Sequence, residues 1–179
     1  DEIFAKCNIQ ISVKTRLGME DASGFPELMK LYNKFPMKEL IIHPRVQKDF
    51  YKNTPNLEMF AEAFAMSTNP VCYNGDIFCV EDHQRICERF PELDAVMSGR
   101  GTLMNPALAR EIRGGQALTK AELRKFHDLV YHTYRAEVSG DRNVLFKMKE
   151  LWFYMGPLFA NNKKYLKKIK KSEKCIVYE

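Results

Sequence analysis

The run Lys14-Thr15-Arg16-Leu17-Gly18 sets two cations one residue apart at the end of the apolar segment Ile11-Ser12-Val13. A lysine there offers a point charge to an electron-rich ring or a phosphate, and an arginine offers a planar fork. The plainer alternative is two solvated charges in a loop. His43-Pro44-Arg45 closes a second apolar segment, and a histidine so placed is either structural or a ligand contact. Asn74-Gly75-Asp76 and Ser98-Gly99-Arg100-Gly101 close two more. Their glycines would let backbone N–H groups approach a phosphate, and Arg100 adds charge. Asn-Gly also marks ordinary turns, so the order and spacing of the two motifs carry the signal. A fifth cluster holds Lys163, Lys164, Lys167, Lys168, Lys170, Lys171 and Lys174, opposed only by Glu173. It is either a solvated helix face or a surface for a phosphate backbone. The sequence has no Walker-type loop, no metal-ligand cluster, no convincing triad and no obvious proton donor. His83, His127 and His132 fall within helical patterns.

Four strand-like segments must position these groups, starting near residues 9, 38, 69 and 93, with steps of about 29, 31 and 24 residues. That is the length of a βα unit with short loops. Helical spacing follows each segment: Phe25, Leu28, Met29 and Tyr32; Leu57, Phe60, Ala61 and Phe64; Val80, His83, Ile86 and Phe90; then a short helix over Leu103–Ile112. Polar groups at the carboxyl ends of buried parallel strands are the arrangement of open α/β sheets and of (β/α)8 barrels. Four strands cannot close an eight-stranded barrel, so the expectation is the second half of one.

The pattern changes near residue 116. Thr119-Lys-Ala-Glu122 has the form of a capping box. Three helices should follow: one to about Val138, one from about Asn143 to Met155, and a lysine-rich one through about Ser172, broken at Ser139-Gly140 and Gly156-Pro157. Trp152, Phe153 and Tyr154 are expected in the core of this bundle. The domains are therefore read as 1–116, half of an α/β barrel, and 117–179, a helical bundle.

The net charge of +5 sits in the second part: residues 119–179 hold 14 Lys+Arg against 7 Asp+Glu, and 1–118 hold 14 against 16. A basic appendage on a near-neutral body points to a polyanionic partner. The five cysteines make no even framework and no zinc spacing, which fits reduced thiols in a cytoplasmic protein, with Cys72 as core filler. No apolar run reaches the roughly 18 residues of a membrane span. The start DEIFAKCN lacks the basic opening and apolar core of a signal peptide and reads as cut from something longer.

Taken in order, K-x-R-L-G, His-x-Arg, Asn-Gly-Asp-Ile and Val-Met-x-Gly-Arg-Gly-x-x-x-Asn-Pro resemble the tRNA-dihydrouridine synthases over roughly residues 9–116. Residues 119–179 match by helical pattern and basic charge alone. The resemblance implies a TIM barrel that binds FMN, reduced by NADPH, and a helical tRNA-binding domain. It implies hydride delivery to a uracil ring in tRNA, with a cysteine protonating the neighbouring carbon. Lys14 would lie against the flavin's pyrimidine edge and stabilise the anionic reduced form. His43 would contact the flavin or its phosphate side. Asn74, Gly75, Asp76, Gly99 and Arg100 would hold the ribityl phosphate. Arg16 and Arg45, with Lys163, Lys164, Lys167, Lys168 and Lys171, would face the substrate tRNA, and no metal is implied. Two departures stand out. Pro44 replaces the family's usual glycine between His and Arg. No cysteine here has the Asn-x-x-Cys-Pro setting of the family's acid, so the acid is expected upstream and this chain alone is expected to be inactive.

Two other readings stand beside this one: another FMN-dependent barrel acting on a small ring, and a non-catalytic RNA-binding module. A half-barrel also exposes strand edges and an apolar face, so self-association is expected.

Overall fold

The computed structural model describes residues 2–6 and 9–179; Cys7 lies outside the described residues. The chain forms two compact units. One holds the described residues up to Asp76 together with Glu81–Ser98, and the other holds Ile77–Val80 and Gly99–Glu179.

The first unit is built on one parallel sheet whose spatial order follows the chain: β1 (Ser12–Gly18), β2 (Glu39–Val46), β3 (Val71–Asn74) and β4 (Ala95–Met97). Helix α1 (Glu2–Lys6) precedes the sheet, and α2 (Phe25–Tyr32), α3 (Leu57–Met66) and α4 (Val80–Arg89) connect the strands. This is the expected βα alternation. Strand β2 is buried from Leu40 to Arg45, which explains its unbroken apolar reading. Strands β1 and β2 run further than expected, so Lys14 sits in mid-strand, and Arg16 and His43 stand side by side in register.

The helix-covered face holds Leu40, Ile42, Val71 and Tyr73. Phe60 of α3 meets Tyr73 edge-on at 4.9 Å and Phe90 at 5.0 Å. Tyr32 of α2 donates its hydroxyl to Thr15 of β1 (3.0 Å). Asn56 caps α3 by accepting from the Met59 amide (3.0 Å). The opposite face carries the polar set described below.

The second unit is helical: α5 (Arg100–Met104), α6 (Leu108–Ile112), α7 (Lys120–Glu137), α8 (Asp141–Met155), a 3-10 turn (Gly156–Leu158), α9 (Asn162–Lys171) and α10 (Cys175–Tyr178). The capping box forms: the Glu122 amide donates to Thr119 Oγ1, and Glu122 Oε2 accepts from the Thr119 amide (2.9 Å). The expected single helix over 103–112 is two helices. Pro106 forces the residue before it out of the helical region, and Asn105 is extended at φ −129°, ψ 98°. Gly140 at φ +83° turns the chain between α7 and α8. Leu123, Tyr131, Val144, Leu145, Met148, Leu151, Met155 and Cys175 form the core. Phe153 departs from the expected aromatic core: it is 74% exposed, because α8 turns it away from the Val144, Met148 and Leu151 stripe. Trp152 and Tyr154 are half-buried.

Phe60 is fully buried against two rings, so Phe60→Ala is expected to destabilise the first unit by about 3–5 kcal/mol, read as a lowered urea midpoint.

Candidate functional site

Strand register decides which side chains meet. Lys14 pairs with Ile41, Arg16 with His43, Ile41 with Cys72, and Asn74 with Met97. Partners in parallel strands project to the same side. One face of the sheet therefore collects Lys14, Arg16, Glu39, His43, Arg45, Cys72 and Asn74.

Arg45 is the buried member of this set, 2% exposed. Its Nη1 and Nη2 donate to the two carboxylate oxygens of Asp76 (3.0 and 2.5 Å), and Nε donates to the carbonyl of Asn53 (2.6 Å). The fork joins the end of β2 to the loop after β3. Nη1 also lies 3.2 Å from His43 Nε2. A guanidinium can only donate, so Nε2 is the acceptor and the ring proton is on Nδ1. Burial, then Arg16, Lys14 and Arg45, push His43 down to about 4, against the pull of Asp76. The imidazole is neutral at physiological pH.

Lys14 lies on the open part of the face. Among the described residues its ammonium has no hydrogen bond or ion pair. Partial burial, then Arg16, lower its pKa, while Cys72 opposes. The Cys72 thiol is pushed up to about 11, first by burial and then by Glu39. It stays protonated and is 3% exposed, as expected for core filler. Asn74 donates Nδ2 to the Met97 carbonyl (2.8 Å), tying β3 to β4. Gly75 is required locally, because a Cβ there would lie 2.0 Å from the Tyr73 hydroxyl.

Arg16 donates to the Val46 carbonyl (3.1 Å) and lies over the Tyr51 ring at 5.8 Å. Phe50 and Tyr51 are exposed, and with Arg16 and Met19 they border a cavity of about 540 Å³. Phe50 holds φ +48°, an unusual backbone for a bulky residue. Sequence reading missed this aromatic pair, although its place just after His-x-Arg was a usable signal.

In the second unit, Gly99 and Arg100 open α5. A Cβ on Gly99 would meet only open space, and the Arg100 guanidinium stands over the Phe78 ring at 5.1 Å. On α9 and just after it, Lys163, Lys164, Lys167, Lys168, Lys170, Lys171 and Lys174 are all exposed, and none is ion-paired among the described residues. Among the described residues no group of His, Cys, Asp and Glu is placed to hold a metal, and no helix is long and apolar enough to cross a membrane.

This is an α/β protein with a cation-rich cluster at the carboxyl side of parallel strands, the side on which such sheets bind ligands. The family described as dihydrouridine synthase (Dus) matches residues 1–175, and the chain belongs to that family. Similar proteins include a tRNA-dihydrouridine(16) synthase of Pseudomonas syringae pv. tomato, 31% identical over 61% of this chain and 34% of the relative. One of Shewanella oneidensis is 35% identical over 59% and 33%. A probable tRNA-dihydrouridine synthase of Helicobacter pylori is 30% identical over 80% and 43%. The chain thus spans a third to two fifths of the length of these curated relatives.

Two outcomes test the site's electrostatics. An unfolded histidine titrates near 6.5, and His43 titrates near 4 in the folded chain. Between those values the unfolded state binds a proton that the folded state does not. Stability should therefore fall on acidification from about pH 6.5 to about 4 by on the order of 3 kcal/mol, then level off. Urea unfolding across that range should show this component in the parent and lose it in His43→Gln. Separately, Asp76→Ala leaves the buried Arg45 guanidinium without its carboxylate and should cost about 3–5 kcal/mol in the same assay.

Proposed function

We propose that this chain supplies the second half of the FMN pocket and the tRNA-binding helices of a tRNA-dihydrouridine synthase, a cytoplasmic tRNA-processing oxidoreductase that uses NADPH. The observation that carries this reading is Lys14: an unpartnered, partly desolvated ammonium on the open sheet face, beside Arg16 and a neutral His43. Family membership and the relatives' names support the reaction.

The residues present fit a flavin by the chemistry of the donor set. Lys14 offers a cation to an electron-rich ring edge, His43 a fixed Nδ1–H, and Asn74 an amide oxygen that its own bond to Met97 leaves over. Gly75, Gly99 and Arg100 are assigned to the phosphate. Asp76 acts through Arg45, since a carboxylate repels phosphate and its two oxygens are held by the guanidinium. The same argument makes Arg45 a positioning residue and leaves Arg16 to face the tRNA. FMN bound there supplies the hydride that reduces a uracil ring to dihydrouracil. Lys14 holds positive charge where electron density collects, and the Arg45–Asp76 fork fixes the His43 ring. Cys72 is buried and protonated, and no cysteine of this chain has the Asn-x-x-Cys-Pro setting, so the general acid is assigned to a residue outside this chain.

The exposed lysines of α9 suit phosphate-backbone binding without base readout. The test uses the protein that carries this chain. Lys14→Ala should weaken FMN binding at least about tenfold and lower dihydrouridine formation in tRNA. Alanine at Lys163, Lys167 and Lys171 should leave FMN binding intact and flatten the salt dependence of tRNA binding, its log–log slope falling by about 0.7–0.9 for each phosphate no longer neutralised. Unchanged flavin affinity in Lys14→Ala overturns the site. Salt-dependent RNA binding with no flavin affinity in the parent would favour a non-catalytic RNA module.

A further inference from the structure

The helical unit contains a cavity of about 670 Å³ between α7, α8 and α10, with Ile169 of α9 in its wall. None of the chemistry above uses it. Its walls are largely rings: His127, Tyr131, Trp152, Phe159 and Tyr178. His127 lies parallel to Tyr131 (centroids 6.4 Å, 8°) and 5.5 Å from Trp152, and Trp152 lies 5.5 Å from Phe159.

The edges of these rings are already committed. Trp152 Nε1–H donates to the Tyr178 hydroxyl (2.6 Å), which lies 2.7 Å from His127 Nε2, and His127 Nδ1 lies 2.9 Å from Asp128. Placing the imidazole proton on Nδ1 lets every donor in this chain find an acceptor. Tyr131 donates its hydroxyl to Glu179 (2.5 Å). With their polar edges bonded to one another, these rings offer their faces, and the remaining polar lining is Lys120, Arg124 and His132. A site of that kind binds flat rings and does not discriminate among them by edge contacts.

Charge selects among flat ligands. Both carboxylates at the cavity are engaged: Glu179 with Tyr131, and Asp128 with His127 and with Arg124 at 3.6 Å. Lys120 lines the cavity and has no ion pair among the described residues. Lys167, Lys168 and Lys170 flank Ile169 on α9. A ring that carries a phosphate satisfies both features, and the volume lies within the range of about 300–1,000 Å³ usual for small-ligand sites.

We propose that this cavity is a stacking pocket for an unpaired nucleobase bearing its phosphate, with Trp152 and Phe159 as the stacking surfaces, His127 held behind them by Tyr131 and Tyr178, and Lys120 as the phosphate contact. As a pocket for a base of bound RNA, it rests on the tRNA reading above.

Trp152 is the chain's single tryptophan, so its fluorescence reports the surroundings of that one ring, and the Lys120→Ala variant ties the signal to this cavity, since Lys120 lines it and not the smaller one beside Phe159 and Leu166. The test titrates the flavin-free chain with tRNA, with a short oligouridylate and with uridine 5′-monophosphate. Anisotropy of labelled tRNA independently reports RNA binding. The expected result is saturable quenching of Trp152 by both RNAs, weakened roughly tenfold in Phe159→Ala and in Lys120→Ala, with melting temperatures unchanged. Stacking by alanine substitution is worth about 1–3 kcal/mol per base, which corresponds to roughly five- to 150-fold. Quenching by the mononucleotide alone keeps the pocket and makes its ligand a free nucleotide. If tRNA binds by anisotropy and Trp152 is unaffected by all three probes, the pocket is overturned while the tRNA reading stands. If tRNA does not bind and the mononucleotide quenches, the tRNA reading fails and the pocket survives.

Discussion

The guanidinium of Arg45 is almost sealed from solvent, and three of its nitrogens are held by Asp76, Asn53 and His43. An unpaired charge at that depth would cost several kcal/mol, so Asp76 is obligatory once Arg45 is buried. The fork pins the loop after β3 to the end of β2. Because an arginine can only donate, it also fixes the tautomer of His43. Arg16 lies on the same register line, and its pose over Tyr51 follows from the strand pairing and the turn through Gln47–Asp49. Gly18 belongs to the same constraint. It stands at φ +155°, where the pairing of β1 with β2 slips, and a Cβ there would lie 2.1 Å from the Asp21 carbonyl.

The helical unit uses polar locks in a comparable way. Lys149 of α8 donates to the Ser172 carbonyl after α9 (2.6 Å), and Asp141 accepts from the Cys175 amide (2.8 Å) at the start of α10. These bonds hold both ends of the segment after α9, whose own apolar seat is narrow: Leu166 and Ile169 are only half-buried, and no residue of the helix is buried. Seven like charges on and just after so lightly seated a helix add repulsion to the folded state. Neutralisation by a polyanion would relieve it.

Much of this was legible in the sequence because the period of the apolar residues is local. The four strands start one to three residues after the expected positions, and the Thr119–Glu122 capping box is present as read. The four-residue α10 escaped because one turn carries no periodicity and is held by tertiary bonds from Asp141 and Trp152. Strand ends were misjudged where polar residues continue a strand, so Lys14 looked terminal and lies in mid-strand. Among the candidate site residues, sequence position located the carboxyl ends of the strands and nothing more. That Arg45 turns inward to Asp76, and that His43 is an acceptor, depends on pairing across 31 residues of chain. Nothing in the local pattern distinguishes that arginine from the half-buried Arg16.

The electrostatic state of the sheet face is itself an argument about its ligand. Burial is the first cause that lowers the pKa of both His43 and Lys14; Arg16, Lys14 and Arg45 add to it at His43 and Arg16 adds to it at Lys14, while Asp76 opposes it at His43. Such a depression is first the cost of taking a charge out of water and then the cost of holding it near like charges. The first unit keeps that cost because the fold needs Arg45 and the Arg45–Asp76 fork is internally balanced, so the uncompensated charge is that of Lys14 and Arg16. A negatively charged or electron-rich group placed against them removes part of the repulsion. By linkage it must also raise the pKa of both Lys14 and His43 by the amount its binding is coupled to their protonation. An electron-rich ligand there would be favoured by the remaining cations, since the histidine itself is neutral. Among the described residues, Lys14 is the cation of this face with no hydrogen-bond or ion-pair partner of its own.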